Sequence, residues 1–360
     1  MRTPEPGVDD TSNSPQRLCP VCCFIVPPGV LKKYSRDAAF DAATRKALQN
    51  THLETERLRG LREAHRIATI GDPQRFVADL APHVPQQHLF DCNHRKNLPG
   101  KPVATPADGF KTAFDTTAKV VEFYKTVLGR NSVDDKGFDL VSSLHYSTKY
   151  DNAFWDGQQM VYGDGDGKLF IEMYLSPDVV AHELTHGVTQ NESALRYERE
   201  SGALNESISD VFGTVFNQWL NQWDVTEPRG WLVGAGIMAP SAQAKGYTCL
   251  RDMVQPGAQH CLSPQPERYS QMDPTADVHD NSGIPNKAFA LFARAVGGKA
   301  WDAPIKVWYD TCTDRALRSD ATFSEFAALT VASATKTGGA ALAAKCTGAW
   351  QEVEVSLAAK

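Results

Sequence analysis

The run His182-Glu183-Leu184-Thr185-His186 constrains this chain more than any other feature, because Ser176, Pro177 and Asp178 stand just ahead of it. Those residues suit an N-cap, a first helical position and a first-turn acid, so the run is predicted to lie inside a helix beginning at Pro177. Residues four apart share a helix face, which lets both imidazoles address one ion while Glu183, turned by about 100°, addresses a water beside it. By residue frequencies such a run arises by chance in roughly one chain of this length in a hundred. Two histidines on a solvated helix face are therefore the plain alternative, and a third ligand has to decide.

Glu206 is that ligand. Nineteen residues separate it from His186, and it stands in GALNESISDVFG, from Gly202 to Gly213. Catalytic zinc takes three protein ligands and keeps one position open, a count that His182, His186 and Glu206 meet. Asn205 beside it and Asp210 one turn later are placed to accept the outer N–H of the ligating imidazoles. In such a site a zinc-bound water reaches a pKa of about 7, Glu183 takes its proton during attack on a peptide carbonyl, and the leaving amine receives it. Tyr197 and His279 are candidate donors to the oxyanion, although a lone Tyr or His is more often structural.

The rest of the chain bounds this reading. With 360 residues, 42% hydrophobic and 22% charged, it can bury a full core in two or three domains. A net charge of -6 gives no attraction toward nucleic acid or an anionic membrane, and neither partner is expected. No stretch approaches the roughly 18 to 20 apolar residues that cross a bilayer, and the start lacks the pattern of a secretory signal. A soluble chain that begins in the cytoplasm is the expectation.

Residues 1 to about 20, rich in Pro, Ser, Thr and Asp, have the composition of a disordered lead-in. In CPVCCFIVPPGVLKKY, from Cys19 to Tyr34, Pro27 and Pro28 are expected to hold an apolar run extended, a shape suited to a groove. Helix formers fill Asp37 to Ala68, and Pro73 is a plausible breaker. Strands and turns are predicted from Phe76 to Tyr174, with one helix at Phe110 to Leu128; the Asp164 and Asp166 stretch reads as a turn before it reads as a metal loop. Beyond Ser176 the pattern is mainly helical.

Several separated blocks recur in order in one known family: Asn152-Ala153-Phe154-Trp155, MVYGDGDG ending at Gly167, DVVAHELTH, GALNESISDVFG, and VHDNSGIPNKA from Val278. On these the chain resembles the thermolysin family from about Cys92 to its end. The resemblance implies an α+β, thermolysin-like two-subdomain fold, a strand-rich N-terminal half and a mainly helical C-terminal half with the zinc cleft between. It implies a zinc (Zn2+) metalloendopeptidase acting on protein or peptide substrates. Asn152 and Ala153 resemble the edge-strand residues that bind substrate backbone, Arg251 the arginine on a substrate carbonyl, and Tyr197 and His279 the transition-state donors. Phe170, Val179 and Leu250 resemble the lining of an apolar pocket, which implies cleavage on the N-terminal side of bulky hydrophobic residues.

Two positions depart from the family pattern. The carboxylate orienting His279 falls out of register, leaving Asp273 and Asp277, of which Asp273 is preferred. Asp178 matches a family calcium ligand, but Asn217 stands where relatives carry a shared Glu, so calcium (Ca2+) has little support.

FIVPPGVLKK resembles the short propeptide motif of the protealysin-like subgroup. The implied organisation is a propeptide over 1-70 acting as intramolecular inhibitor, an N-terminal catalytic subdomain with the zinc helix over 71-190, and a helical C-terminal subdomain over 191-360. A monomer is expected, secreted by resemblance though without a signal peptide, with the cytoplasm as alternative. Cys19, Cys22 and Cys23 raise the idea of a thiolate capping the zinc, against which packing or a disulfide is favoured. Cys249 and Cys261, twelve apart, are a candidate pair in an oxidising space. The competing functions are an idle zinc- or peptide-binding module and a narrow intracellular processor.

Overall fold

The structure, a computed structural model, describes residues 23–68 and 83–358, side chains of 62–68 excepted. The expected disordered start, Cys19, Cys22 and the breaker Pro73 lie outside the described residues. Strands β1 (Cys23–Phe24), β2 (Gln87–Asp91), β3 (Lys101–Pro102), β4 (Leu140–Leu144), β5 (Ala153–Trp155) and β6 (Met160–Tyr162) form one sheet in the order β1-β5-β6-β4-β2-β3. A two-stranded ribbon pairs β7 (Leu232–Val233) with β8 (Arg251–Asp252).

Helices α1 (Pro28–Tyr34) and α2 (Ala42–Ala68) belong to the N-terminal segment, and α3 (Asp108–Leu128) packs near the sheet. The double proline corrects the sequence reading: the chain is extended only up to Pro27, and Pro28 starts α1. Proline at a first helical position gives up an N–H that the helix cannot use anyway. In α3 the residues Ala113, Thr117, Val120, Phe123 and Tyr124 are buried at three- and four-residue spacing, the stripe of an amphipathic helix. Gly129, at φ +71°, ends it.

The C-terminal half is helical: α4 (Pro177–Asn191), α5 (Arg199–Asn221), the single turns α6 (Pro240–Gln243) and α7 (Val278–Asn281), then α8 (Gly283–Val296), α9 (Ala303–Cys312) and α10 (Phe323–Glu352). Helix α4 is buried from Asp178 to Thr189 and α5 from Ser201 to Phe216, so these two helices run through the interior. A Cβ at Gly213 would meet the Asp178 carbonyl oxygen at 2.6 Å. Glycine therefore permits the close approach of α5 to α4 on which the site depends.

A large buried cluster unites both halves, and a smaller one joins Phe24 and Leu58 of the N-terminal segment to Tyr146, Tyr150, Phe154 and Val161. Asp164 faces His145 at 2.7 Å while Asp166 Oδ1 accepts the N–H groups of Lys168 and Leu169, both at 2.8 Å, so this stretch is a turn. The thiols of Cys249 and Cys261 lie 3.9 Å apart. Among the described residues no helix is long and apolar enough to cross a membrane.

Candidate active site

Helices α4 and α5 bring three ligand atoms together. His182 Nε2 lies 3.1 Å from His186 Nε2 and 3.4 Å from Glu206 Oε2, and His186 Nε2 lies 3.5 Å from Glu206 Oε1. Four ligands at about 2.0–2.1 Å around a tetrahedral zinc stand about 3.4 Å apart, so these atoms fit one ion. Glu206 Oε2 is buried with no hydrogen-bond partner among the described residues, which also suits a cation ligand. Burial alone would raise the Glu206 carboxyl, but His279, His186 and His182 outweigh it and hold the group ionised at about 2.

The outer imidazole nitrogens both lie against residues of α5. His186 Nδ1 meets Asn205 Oδ1 at 2.8 Å and Ser209 Oγ at 3.1 Å, the serine being a partner the sequence reading missed. His182 Nδ1 lies 2.9 Å from Asp210 Oδ1. Asp210 is itself gripped by Arg251, Nε at 2.8 Å and Nη2 at 2.7 Å, and by Asn286 Nδ2 at 2.9 Å. Arg251 thus has a double task that spacing along the chain does not reveal.

Glu183 is fully buried, and neither carboxylate oxygen has a hydrogen-bond partner among the described residues. Burial pushes its carboxyl up to about 8, with His182 pulling it down and Glu206 adding to the rise.

His279, on α7, turns Nε2 into the cleft 3.2 Å from the Tyr197 hydroxyl, and that hydroxyl also bonds Glu206. The preference for Asp273 is corrected here. Asp273 is exposed and its Oδ1 accepts from the N–H and hydroxyl of Thr275, closing a local turn. Asp277 instead caps α7: its Oδ1 accepts the His279 N–H at 3.1 Å and meets His279 Nδ1 at 2.5 Å. The signal was available as an N-cap aspartate just before a short helix. His279 is raised above its ordinary pKa, burial being outweighed by Glu206 and Asp277.

The cleft holds residues of the same chain. Strand β1 pairs antiparallel with β5, Phe24 opposite Phe154. Beyond it, Ile25 N–H donates to the Ala153 carbonyl at 3.2 Å, Val26 N–H donates to Asn152 Oδ1 at 2.9 Å, and Asn152 Nδ2 donates to the Val26 carbonyl at 3.0 Å. Arg251 Nη1 donates to the Ile25 carbonyl at 2.9 Å, and His279 Nε2 stands 2.5 Å from the Phe24 carbonyl oxygen. Ile25 belongs to the same buried cluster as Phe170, Val179 and Leu250. Asn152, Ala153, Arg251 and His279 therefore all engage the main chain of one extended segment.

Two family models match in tandem: the thermolysin metallopeptidase catalytic domain over residues 69–190 and the thermolysin metallopeptidase alpha-helical domain over residues 193–355. An extracellular metalloprotease of Pectobacterium carotovorum subsp. carotovorum is 40% identical over 284 residues, covering 75% of this chain and 81% of its own. Protease PrtS of Photorhabdus sp. (strain Az29) is 41% identical over 261 residues, covering 68% and 69%. Among solved structures, the precursor of protealysin, a metalloproteinase from Serratia proteamaculans, superposes with a TM-score of 0.79 at 33% identity, covering 93% of this chain and all of that one.

Proposed function

This chain belongs to the thermolysin family of zinc metallopeptidases, and from that premise we propose that it is an endopeptidase made as a latent precursor, inhibited by its own N-terminal segment lying in the cleft as a substrate would. The proposed organisation is a propeptide over 1-70, an N-terminal catalytic subdomain over 71-190 and a helical subdomain over 191-360. One observation carries the reading: the main chain from Phe24 to Val26 is hydrogen-bonded by Asn152, Ala153, Arg251 and His279.

His182, His186 and Glu206 would hold the zinc ion, which supplies Lewis acidity and an acidified water when bound. The protein's part in the reaction follows from its geometry. Asn152, Ala153 and Arg251 fix the substrate main chain by its own N–H and C=O groups, which sets the scissile carbonyl without regard to most side chains. His279 and Tyr197 donate to the carbonyl oxygen as it gains charge, with Asp277 keeping His279 oriented. Glu183 takes a proton from the attacking water and returns it to the departing nitrogen.

The residue following the cut takes the position of Ile25, which shares a buried apolar cluster with Phe170, Val179 and Leu250, and this supports cleavage before Leu, Ile, Val or Phe. Both Asp178 oxygens are engaged, one by the Ser176 hydroxyl and one by the Gly234 N–H at 2.5 Å, which supports a zinc enzyme whose α4 start does without calcium. The name of the Pectobacterium relative supports action outside the cell.

The test is cleavage of a blocked peptide library by trimmed protein, wild type against Glu183→Ala, with zinc content measured in both. Cuts before bulky apolar residues that disappear in the variant while zinc stays bound are expected. Zinc bound by both proteins with no cleavage by either would instead identify a peptide-binding module.

A further inference from the structure

The inhibitory segment poses a chemical problem that its hydrogen bonds make worse. The Phe24 carbonyl faces His279 and the Ile25 N–H and C=O groups are held by Ala153 and Arg251, so the Phe24–Ile25 peptide bond is presented as a bond to be cut. A segment this well seated should be a substrate, and latency calls for something that closes the reactive position itself.

Cys23 answers that description. Successive strand residues point to opposite faces, and Phe24 uses its face to enter the cluster with Tyr146, Tyr150 and Phe154, its ring 5.4 Å from that of Phe154. Cys23 consequently turns the other way. Its sulfur and one ligand atom from each of His186 and Glu206 all lie within 4.8 Å of one another. The thiol is fully buried yet belongs to neither hydrophobic cluster, whereas Cys92, Cys312 and Cys346 are members of them. The buried Glu206 Oε2 has no hydrogen-bond partner among the described residues. Packing explains Cys92, Cys312 and Cys346, and Cys249 and Cys261 face each other at 3.9 Å, whereas Cys23 lies against ligand atoms of His186 and Glu206.

We propose that in the precursor Cys23 is the fourth ligand of the zinc held by His182, His186 and Glu206. The inference rests on the metal-site reading above and adds the means of latency. A catalytic zinc site keeps one of its four positions open for water, while a structural site fills all four with protein atoms, and thiolate is a strong zinc donor with a bond of about 2.3 Å. Filling the open position with Cys23 sulfur removes the place from which water would attack Phe24–Ile25. The inhibitor is held like a substrate and spared because it brings its own cap one residue before the bond at risk. Removal of the segment removes the cap.

The experiment uses full-length precursor carrying Glu183→Gln, so that it stays intact, stripped of metal and reloaded with equimolar cobalt(II). A near-ultraviolet thiolate-to-cobalt charge-transfer band is expected, and Glu183→Gln/Cys23→Ser should lose it while still binding equimolar cobalt. Equimolar cobalt without the band, or a band that survives Cys23→Ser and falls instead with Cys249→Ser/Cys261→Ser, would overturn the assignment of Cys23 and leave the metal site standing. Failure of the precursor to bind cobalt, or binding indifferent to His182→Ala, would overturn the metal-site reading and this inference with it.

Discussion

Arg59, on the N-terminal segment, places Nη1 2.8 Å from Oδ2 of Asp277, the carboxylate whose other oxygen orients His279. The segment therefore reaches past the cleft to the aspartate that supports His279. Arg59 is 26% exposed and Asp277 17%, which makes the pair a partly shielded one. Arg59→Ala is expected to loosen the segment by about 1 kcal/mol, roughly a fivefold rise in its undocked fraction. The readout is peptide cleavage by intact precursor at early times; an unchanged rate would show the pair to be incidental.

Asp277→Asn in trimmed protein is expected to lower kcat by roughly 10- to 100-fold, the range for partners that orient a functional imidazole. Asp273→Asn, which removes only the turn contact to Thr275, should leave kcat within about twofold. Equal losses in the two variants would contradict the assignment.

Glu183→Gln should reduce kcat by at least about 10²- to 10⁴-fold with zinc content unchanged, because in the proposed mechanism the side chain moves a proton and is not a ligand. Loss of zinc along with activity would mean that Glu183 supports the metal instead.

Glu54 gives the docking a pH dependence. It accepts hydrogen bonds from Arg57 within the segment, and from Lys96 at 2.5 Å and the Tyr146 hydroxyl at 2.9 Å on the catalytic side. Burial alone would raise its carboxyl, yet Arg57, Lys96 and Tyr146 prevail and hold it at about 2, below the ordinary 4.5. A depressed carboxyl stabilises the docked state above its ordinary pKa and loses that contribution as pH falls toward the folded value. Docking should weaken between about pH 4.5 and pH 2. Glu54→Gln should flatten that dependence, as followed by protease susceptibility of the segment; an equally steep profile in the variant would assign it to another group.

Much of this site was legible along the chain because its parts are local. The two histidines and Glu183 obey helix geometry, and Glu206, Asn205 and Asp210 share one helix, so spacing alone groups them. Asp273 is preferred over Asp277 in the sequence because the N-cap signal of Asp277 precedes a helix of only four residues, too short for periodicity to reveal. Helix α1 went unseen because a double proline suits extended chain and a helix start equally well until packing decides. For the propeptide cysteines the sequence favours packing or a disulfide, because the approach of Cys23 to His186 and Glu206 depends on the register of β1 against β5, a contact across more than a hundred residues.

That same register has a consequence for what the mature enzyme can digest. With β1 gone, β5 becomes the rim of the sheet, and a row of backbone donors and acceptors waits for a partner strand. A rim of this kind reads availability before it reads side chains: only polypeptide whose own amides are unspent can pair with it. Folded domains, with their amides already committed, would pass by, and the expected substrates are linkers, tails and chains that have come undone.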